Sequence, residues 1–177
     1  MRKTLTITAA TAAGLIGLLA GPASAGTTTT TFTLSGNASG LAVSVPANAS
    51  GIATASTGAT SVSGSLGTVT VTDPRGSLVA TWGATVSASD FTTGTATVNE
   101  TVAKSAITYS SGAGTALAGQ VGAMVPSVGA SLSGSAAAAS WAGVGNNTVS
   151  WTPSLTFTLL ASQVAGTYSG TITHSVA

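Results

Sequence analysis

A strict alternation of apolar and small polar side chains constrains this chain more than any other feature. In residues 78–88, the apolar residues Leu, Ala, Trp, Ala, Val and Ala occupy every second position, and the positions between them hold mainly Thr, Gly and Ser. A two-residue period of this kind is typical of a β-strand with one buried and one exposed face. The pattern therefore predicts a strand whose buried face carries Trp82.

Similar alternation recurs along the chain and predicts the fold class. It is clear in residues 155–159 and 168–176, and weaker candidate strands cover residues 29–34, 41–45, 67–72, 96–103 and 107–109. Gly-rich turn sequences such as SGNASG, SSGAG and GVGNN separate these segments. Many short strands broken by such turns predict an all-β fold, an antiparallel β-sandwich with a generally immunoglobulin-like architecture.

Two overlapping segments have a less regular pattern. The Ala-rich residues 131–142 are the one segment compatible with a helical turn, although Gly134 and several Ser residues lower the helix propensity. The longer segment of residues 110–147 is rich in Gly, Ala and Ser, and it is expected to form long loops with weak strands. Met124 and Trp141 provide apolar anchors, so this segment is expected to pack against the rest of the domain.

The N-terminal residues have the pattern of a secretory signal peptide. Arg2 and Lys3 precede an apolar run, and Ala23-Ser24-Ala25 supplies the small residues of a cleavage site. Cleavage after Ala25 would leave residues 26–177 as a single β-sandwich domain. We therefore expect a secreted, extracellular protein without an integral membrane span in its mature chain, and an uncleaved N-terminal anchor is the alternative.

The mature chain is expected to carry very little charge. The full sequence has four Lys and Arg and three Asp and Glu residues, so the loss of Arg2 and Lys3 leaves a net charge of −1. The two remaining cationic side chains can neutralise few backbone phosphates, which argues against nucleic acid as a partner. The chain also has no Cys, so an exported domain of this sequence folds without disulfides.

The sequence TDPRGS concentrates charge at a turn. Asp73 suits the first position of a type I turn, and Gly76 suits the fourth. We predict a hairpin here that joins residues 67–72 to residues 78–88, with Arg75 bound to Asp73 or to a neighbouring backbone carbonyl. A structural role is the favoured interpretation of this turn, and a polar ligand site at the end of the sandwich is the alternative.

Residues for catalysis or metal binding are scarce. With three acidic side chains in the whole chain, a facing pair of carboxylates for glycoside hydrolysis is not expected. The single histidine, His174, lies on a predicted strand, and no nucleophile-elbow sequence accompanies it. We expect a non-enzymatic protein without a cofactor or resident metal, and a weak Ca²⁺ site on Asp73 or Asp90 is the alternative.

Ring side chains are the main binding candidates in a chain with so few charges. We assign Trp82, Trp151, Tyr168 and His174 as candidate binding residues, because aromatic rings on a secreted β-domain can stack on sugars. Core packing is the competing interpretation, and the alternation favours it for Trp82. Trp151 precedes Pro153 at the start of a strand, which is compatible with a position at the rim of the domain.

Two blocks of the sequence resemble the WxL-type domains of Gram-positive surface proteins, over about residues 67–177. VTVTDPRGSLVATWGATVSASDFTTG resembles their first motif block. AGTYSGTITHSVA resembles their closing block, whose pattern is matched by Tyr168, Thr171, Ile172 and Thr173. Both Trp-x-Leu units are incomplete, because Ala84 stands in place of the first Leu and residues 174–176 in place of Trp-Thr-Leu.

The resemblance implies a β-fold at the cell surface and association with the cell wall. We therefore expect a secreted, non-catalytic, cell-envelope-associated protein that binds a cell-wall polymer or other surface proteins non-covalently. The alternative is a structural subunit that self-assembles into a homo-oligomer. TTTTTFTL, close to the predicted new N-terminus, is an uncharged, β-prone segment that could add to a sheet edge.

Overall fold

A computed structural model of the chain describes residues 31–35, 40–49 and 51–177. The chain divides into two compact units, Met1–Thr33 and Leu34–Ala177. Of the first unit, residues 31–33 are described, and they have no regular secondary structure. The predicted signal peptide lies outside the described residues. The second unit contains all the elements named below.

The described part of the second unit is built from short strands. In chain order they are β1 (Ala42–Ser44), β2 (Gly51–Ile52), β3 (Ser61–Ser65), β4 (Val69–Asp73), β5 (Ala80–Ala88), β6 (Phe91–Thr92), β7 (Thr101–Val102), β8 (Ile107–Ser110), β9 (Gly114–Ala116), β10 (Val121–Pro126), β11 (Ala130–Ser131), β12 (Ala136–Val144), β13 (Asn147–Trp151), β14 (Ser154–Thr158) and β15 (Ile172–Val176). Two single-turn 3₁₀ helices, Val98–Glu100 and Lys104–Ala106, flank β7. Among the described residues, no helix has the length and apolar character needed to cross a membrane.

Two sheets join to form the front layer of the domain. One has the strand order β1-β4-β13-β9, and the other has the order β11-β8-β14-β3-β2. β3 continues into β4, β8 into β9 and β13 into β14, with two or three residues between the members of each pair. At this junction the amide of Leu66 donates to the carbonyl of Pro153 over 2.9 Å. The two sheets therefore form one layer, whose long strands are each interrupted at the junction between the sheets.

The back layer is the four-stranded sheet β10-β12-β5-β15, in which every pair is antiparallel. Trp82 on β5 stacks on Trp151 of the front layer, with ring centroids 6.2 Å apart. His174 on β15 meets Tyr109 of the front layer edge to face, with centroids 5.6 Å apart. The layers share one core, which confirms the predicted all-β antiparallel β-sandwich. The immunoglobulin-like character stays a prediction.

Alternating side chains fill the space between the layers. On β5, Ala80, Trp82, Ala84 and Val86 are buried, whereas residues 81, 83 and 85 are exposed. The same alternation holds on β4, β13 and β14. The two-residue period therefore predicted the buried face of β5 correctly. It overextended the strand, because Leu78 precedes β5 and is 82% exposed.

The TDPRGS turn does not form the predicted hairpin. β4 pairs with β1 and β13 in the front layer, whereas β5 pairs with β12 and β15 in the back layer. The turn is therefore an arch that crosses from one layer to the other. Sequence alternation does not distinguish the two connections, because each strand has a single apolar face in both.

The helical turn with which residues 131–142 are compatible does not form either. Ala136–Val144 form β12, which pairs with β5 on one side and β10 on the other and places Trp141 opposite Trp82. Two neighbouring strands therefore override the helix propensity of Ala. Gly122 has φ +153 and packs against the ring of Trp141, so a side chain there would displace the indole. Residues 110–147, expected to be long loops, contain four strands, β9 to β12.

Three further predicted strands differ from the structure. The predicted strand of residues 168–176 is shortened to β15, and residues 168–171 have only an isolated bridge at Ser169. Residues 96–103 form a 3₁₀ turn followed by the two-residue strand β7, because Glu100 caps the turn that starts at Thr97. Residues 31–34 of the predicted strand 29–34 belong to no sheet, and residues 29 and 30 lie outside the described residues.

Asn147 is a buried polar residue at an inward position of β13. Its Oδ1 accepts a hydrogen bond of 2.8 Å from Nε1 of Trp82, and its side chain is 1% exposed. Its Nδ2 lies 3.4 Å from Oδ2 of Asp73. Asn147 therefore connects the stacked tryptophans to the charged turn.

We expect Asn147→Ala to lower the free energy of unfolding by roughly 2 kcal/mol, because it leaves the buried indole N–H of Trp82 without an acceptor. Urea denaturation followed by tryptophan fluorescence measures this loss. Asn146→Ala is the matched control, since Asn146 is exposed and its side chain makes none of these bonds. Equal losses in the two variants would contradict the assigned role.

Candidate functional site

An open groove of about 850 Å³ lies along one side of the sandwich. Its apolar surface includes the inward side chains of the front layer and those of β15, among them Ile52, Val62, Phe157 and Ile172. β2 is the last strand of the front layer on this side, and β15 is the last strand of the back layer. The groove therefore lies where the two layers end, and neither layer closes it.

The groove has an uncharged lining. Among the described residues that line it, none is Asp, Glu, Lys or Arg. Hydroxyl and amide groups stand on two rims, residues 45–59 and 163–171, and include Ser56, Thr57, Gln163, Thr167 and Thr171. This combination suits an extended, uncharged ligand that offers apolar contacts and neutral hydrogen-bonding groups.

The rim formed by residues 163–171 is held by hydrogen bonds at several points. The Tyr168 hydroxyl lies 2.9 Å from the carbonyl oxygen of Val164 and 3.2 Å from that of Asn99. Nε2 of Gln163 donates to the carbonyl of Thr101 over 3.1 Å. Ser169 forms a bridge with Thr92 through two backbone bonds of 2.9 and 3.0 Å. Tyr168 is thus a partly buried residue of the groove that also fixes its own loop.

His174 lies at the inner end of the groove and takes part in a hydrogen-bonded chain. Nε1 of Trp151 donates to the Tyr109 hydroxyl over 2.9 Å, and that hydroxyl lies 3.2 Å from Nε2 of His174. Burial lowers the pKa of His174, which favours the neutral imidazole. Burial also raises the pKa of Tyr109 to about 12, so the phenol keeps its proton and can donate it to Nε2.

The structure separates the four predicted binding residues into two groups. Tyr168 and His174 line the groove. Trp82 and Trp151 are 4% and 2% exposed and lie in the core, so their indole faces are covered by each other and by the two layers. Their assignment as ligand-contacting residues is therefore corrected. The alternative of a rim position for Trp151 is excluded, because β13 continues into β14 and Trp151 lies in the middle of the layer.

Asp73, Arg75 and Gly76 form the ion-paired arch between the layers. Oδ1 of Asp73 accepts from the Arg75 amide at 3.1 Å and from Nε at 2.7 Å, and Oδ2 accepts from an Arg75 Nη at 2.8 Å. The same Nη donates to the Thr81 carbonyl on β5 over 2.9 Å. The Arg75 guanidinium beside Asp73 holds the pKa of that fully buried carboxyl below its usual range. Gly76 supplies a positive φ of 64°.

The remaining described acidic side chains also bind the protein itself. Oδ1 of Asp90 accepts from the backbone amide of Lys104 over 2.7 Å. Oε2 of Glu100 accepts from the amides and hydroxyls of Thr95 and Thr97, and these bonds lower the pKa of Glu100. No group of three His, Asp or Glu side chains that could hold a metal ion occurs among the described residues.

Two buried polar residues and the groove itself are absent from the sequence predictions. Tyr109 and Asn147 connect the core hydrogen bonds, and both stand at inward positions of strands, beside Ile107 and Val149. A polar group at an inward position of an alternating strand is the signal that marks them. The groove has no such signal in the sequence, because it forms where the front layer ends at β2 and the back layer ends at β15.

No protein-family model, curated protein or solved structure matches this chain.

We expect the stability of the protein to fall as pH decreases from 8 to 5, because the unfolded chain binds a proton at His174 more readily than the folded one. The folded pKa of His174 lies below the unfolded value of about 6.5. The contribution of the neutral His174 to the free energy of unfolding is therefore fully present above the unfolded pKa, and it is lost as the pH falls through the folded pKa. Thermal unfolding temperatures across this range measure the loss.

His174→Gln is the matched variant, since an amide can still bond to Tyr109 but does not titrate. The chain has one histidine, so the variant should flatten the pH dependence between 8 and 5. An unchanged slope in His174→Gln would mean that another group is responsible.

Proposed function

We propose that this chain is a secreted, non-catalytic surface protein that associates non-covalently with the bacterial cell envelope through its groove. The observation that carries the proposal is the uncharged groove of about 850 Å³, with apolar walls and hydroxyl-bearing rims. The sequence supports it with the signal-peptide pattern and with the resemblance to WxL-type surface domains. The groove supplies a binding site that does not depend on the incomplete Trp-x-Leu units.

The disposition of the ionisable groups supports binding rather than catalysis. Asp73, Asp90 and Glu100 each bind backbone or neighbouring side chains in turns, and none of the three carboxylates belongs to the described groove lining. Within the groove, His174 is bound to a phenol, with no carboxylate among the described lining residues to orient it. General acid–base or nucleophilic chemistry needs such a partner at hydrogen-bond distance.

Self-assembly into a structural surface layer is a second candidate function. One observation favours it: β15 is an edge strand, and its outer side borders the groove. Such an edge can accept a strand from another chain.

We expect Val62→Asp to reduce retention of the protein on purified Gram-positive cell walls by roughly tenfold or more. A charge on this wall would have to be buried by an uncharged ligand. Co-sedimentation of the secreted protein with wall material, over a range of salt concentrations, measures retention. Retention should persist at high salt, because the contacts are not ionic.

Ser63→Asp is the matched control for this experiment. Ser63 is the next residue on β3, is exposed, and faces away from the groove. Circular dichroism and thermal unfolding establish that both variants fold. If both variants are retained like the parent protein, the groove is not the wall-binding surface.

A further inference from the structure

We propose that the groove receives residues 27–34 of a second copy of this chain, which adds as a strand to the free edge of β15. The inference rests on self-assembly, the second candidate function, and names the two segments that join. Each copy then provides one donor segment and one acceptor groove.

The free edge of β15 has backbone groups available for pairing. Ala177 and Gly83 exchange two backbone hydrogen bonds of 3.0 and 2.8 Å, so residues 171, 173, 175 and 177 direct their N–H and C=O groups toward β5. The N–H and C=O groups of Ile172, His174 and Val176 point the other way. No described residue pairs with them.

The edge also lacks the features that usually prevent strand addition. β15 has the sequence ITHSV, without Pro, Lys or a bulge, and its register with β5 is continuous over all five residues. Proteins commonly protect exposed edges with such features. Their absence marks this edge as an acceptor.

An added strand would fill the groove with its side chains. Alternate residues of a strand beside β15 would point to the same side as Ile172 and His174, which line the groove. They would meet Ile52 and Val62 on the opposite wall, at the end of the front layer. The fifth strand would extend the four-stranded back layer to match the five-stranded sheet it faces.

Residues 27–34, TTTTTFTL, have the chemistry of the missing strand. Phe32 and Leu34 are two residues apart, so both point to one face of a strand, and Thr fits either face. The segment has no charge, as the groove lining requires. Eight residues in extended form span about 26 Å, more than the length of β15.

The side chains of Phe32 and Leu34 are uncovered in the single chain. We therefore infer that a second copy covers them. Residues 31–35 belong to no sheet, and Phe32 and Leu34 are 88% and 90% exposed. Insertion into another copy would bury both. Because donor and acceptor are different surfaces, the contact is head-to-tail and produces rings or open chains of copies.

The test compares Phe32→Asp with Thr33→Asp in the full chain secreted by a bacterial host. Both variants add one carboxylate to the donor segment, but the first places it on the face that enters the groove. We expect assembly of the parent protein and of Thr33→Asp in sedimentation velocity, and self-association at least about tenfold weaker in Phe32→Asp.

A mixture of two defective variants gives a second test. Phe32→Asp keeps its acceptor groove, and Val62→Asp keeps its donor segment, so together they should form a one-to-one complex that does not grow further. A synthetic TTTTTFTLS peptide should dissociate the assemblies of the parent protein. These measurements remain informative if one variant folds poorly, because the peptide acts on the unmodified protein.

A parent protein that stays monomeric, or equal assembly of the Phe32→Asp and Thr33→Asp variants, would overturn the inference. A monomer whose wall retention still depends on Val62 would overturn it and leave the proposed function standing. Assembly that depends on Phe32, with wall retention indifferent to Val62→Asp, would support the inference and remove the groove's role in wall binding.

Discussion

The stacked pair Trp82–Trp151 is the contact on which the rest of the sandwich depends. The two indoles come from opposite layers, and each N–H is satisfied inside the core, by Asn147 at 2.8 Å and by Tyr109 at 2.9 Å. Large aromatic rings supply much of the buried area available to a chain without disulfides and with few aromatic residues. The hydrogen bonds fix the orientation of the rings, because a buried indole N–H without a partner is costly.

The hydrogen bonds that extend from the two stacked tryptophans also explain where the few charged side chains lie. At one end, Asn147 leads to the ion pair of Asp73 with Arg75, and Arg75 reaches across to the carbonyl of Thr81 in the other layer. At the other end, Tyr109 leads to His174 beside the groove. Asp90 and Glu100 bind backbone amides of turns. With its acidic groups bound in this way, the chain has few charges left for its outer surfaces, and the groove is neutral as a result.

The sequence predicted this architecture unevenly, and the reason is physical. Alternation reports which face of a strand is buried, so the fold class and the buried position of Trp82 followed from residues 78–88. It does not report which strand pairs with which, so it predicts a hairpin at Asp73 where the chain forms an arch, and it leaves residues 131–142 compatible with a helical turn where the chain forms β12. Tyr168 and His174 were identified from ring chemistry, but the groove they line depends on where two layers end, which is a tertiary property.

The groove and the uncovered N-terminal segment have one explanation in common. The stacked tryptophans fill the centre of the sandwich, whereas the groove beside β15 exposes apolar side chains such as Val62, Phe157 and Ile172 that no described strand covers. A chain that blocked this edge with charge would need ionic groups that this sequence uses in its turns. Covering the edge with a neutral strand requires none, and residues 27–34 have an uncharged, β-prone sequence that suits this role. The low charge of the sequence is thus consistent both with a core held by aromatic rings and neutral hydrogen bonds and with the proposed joining of copies through a neutral strand.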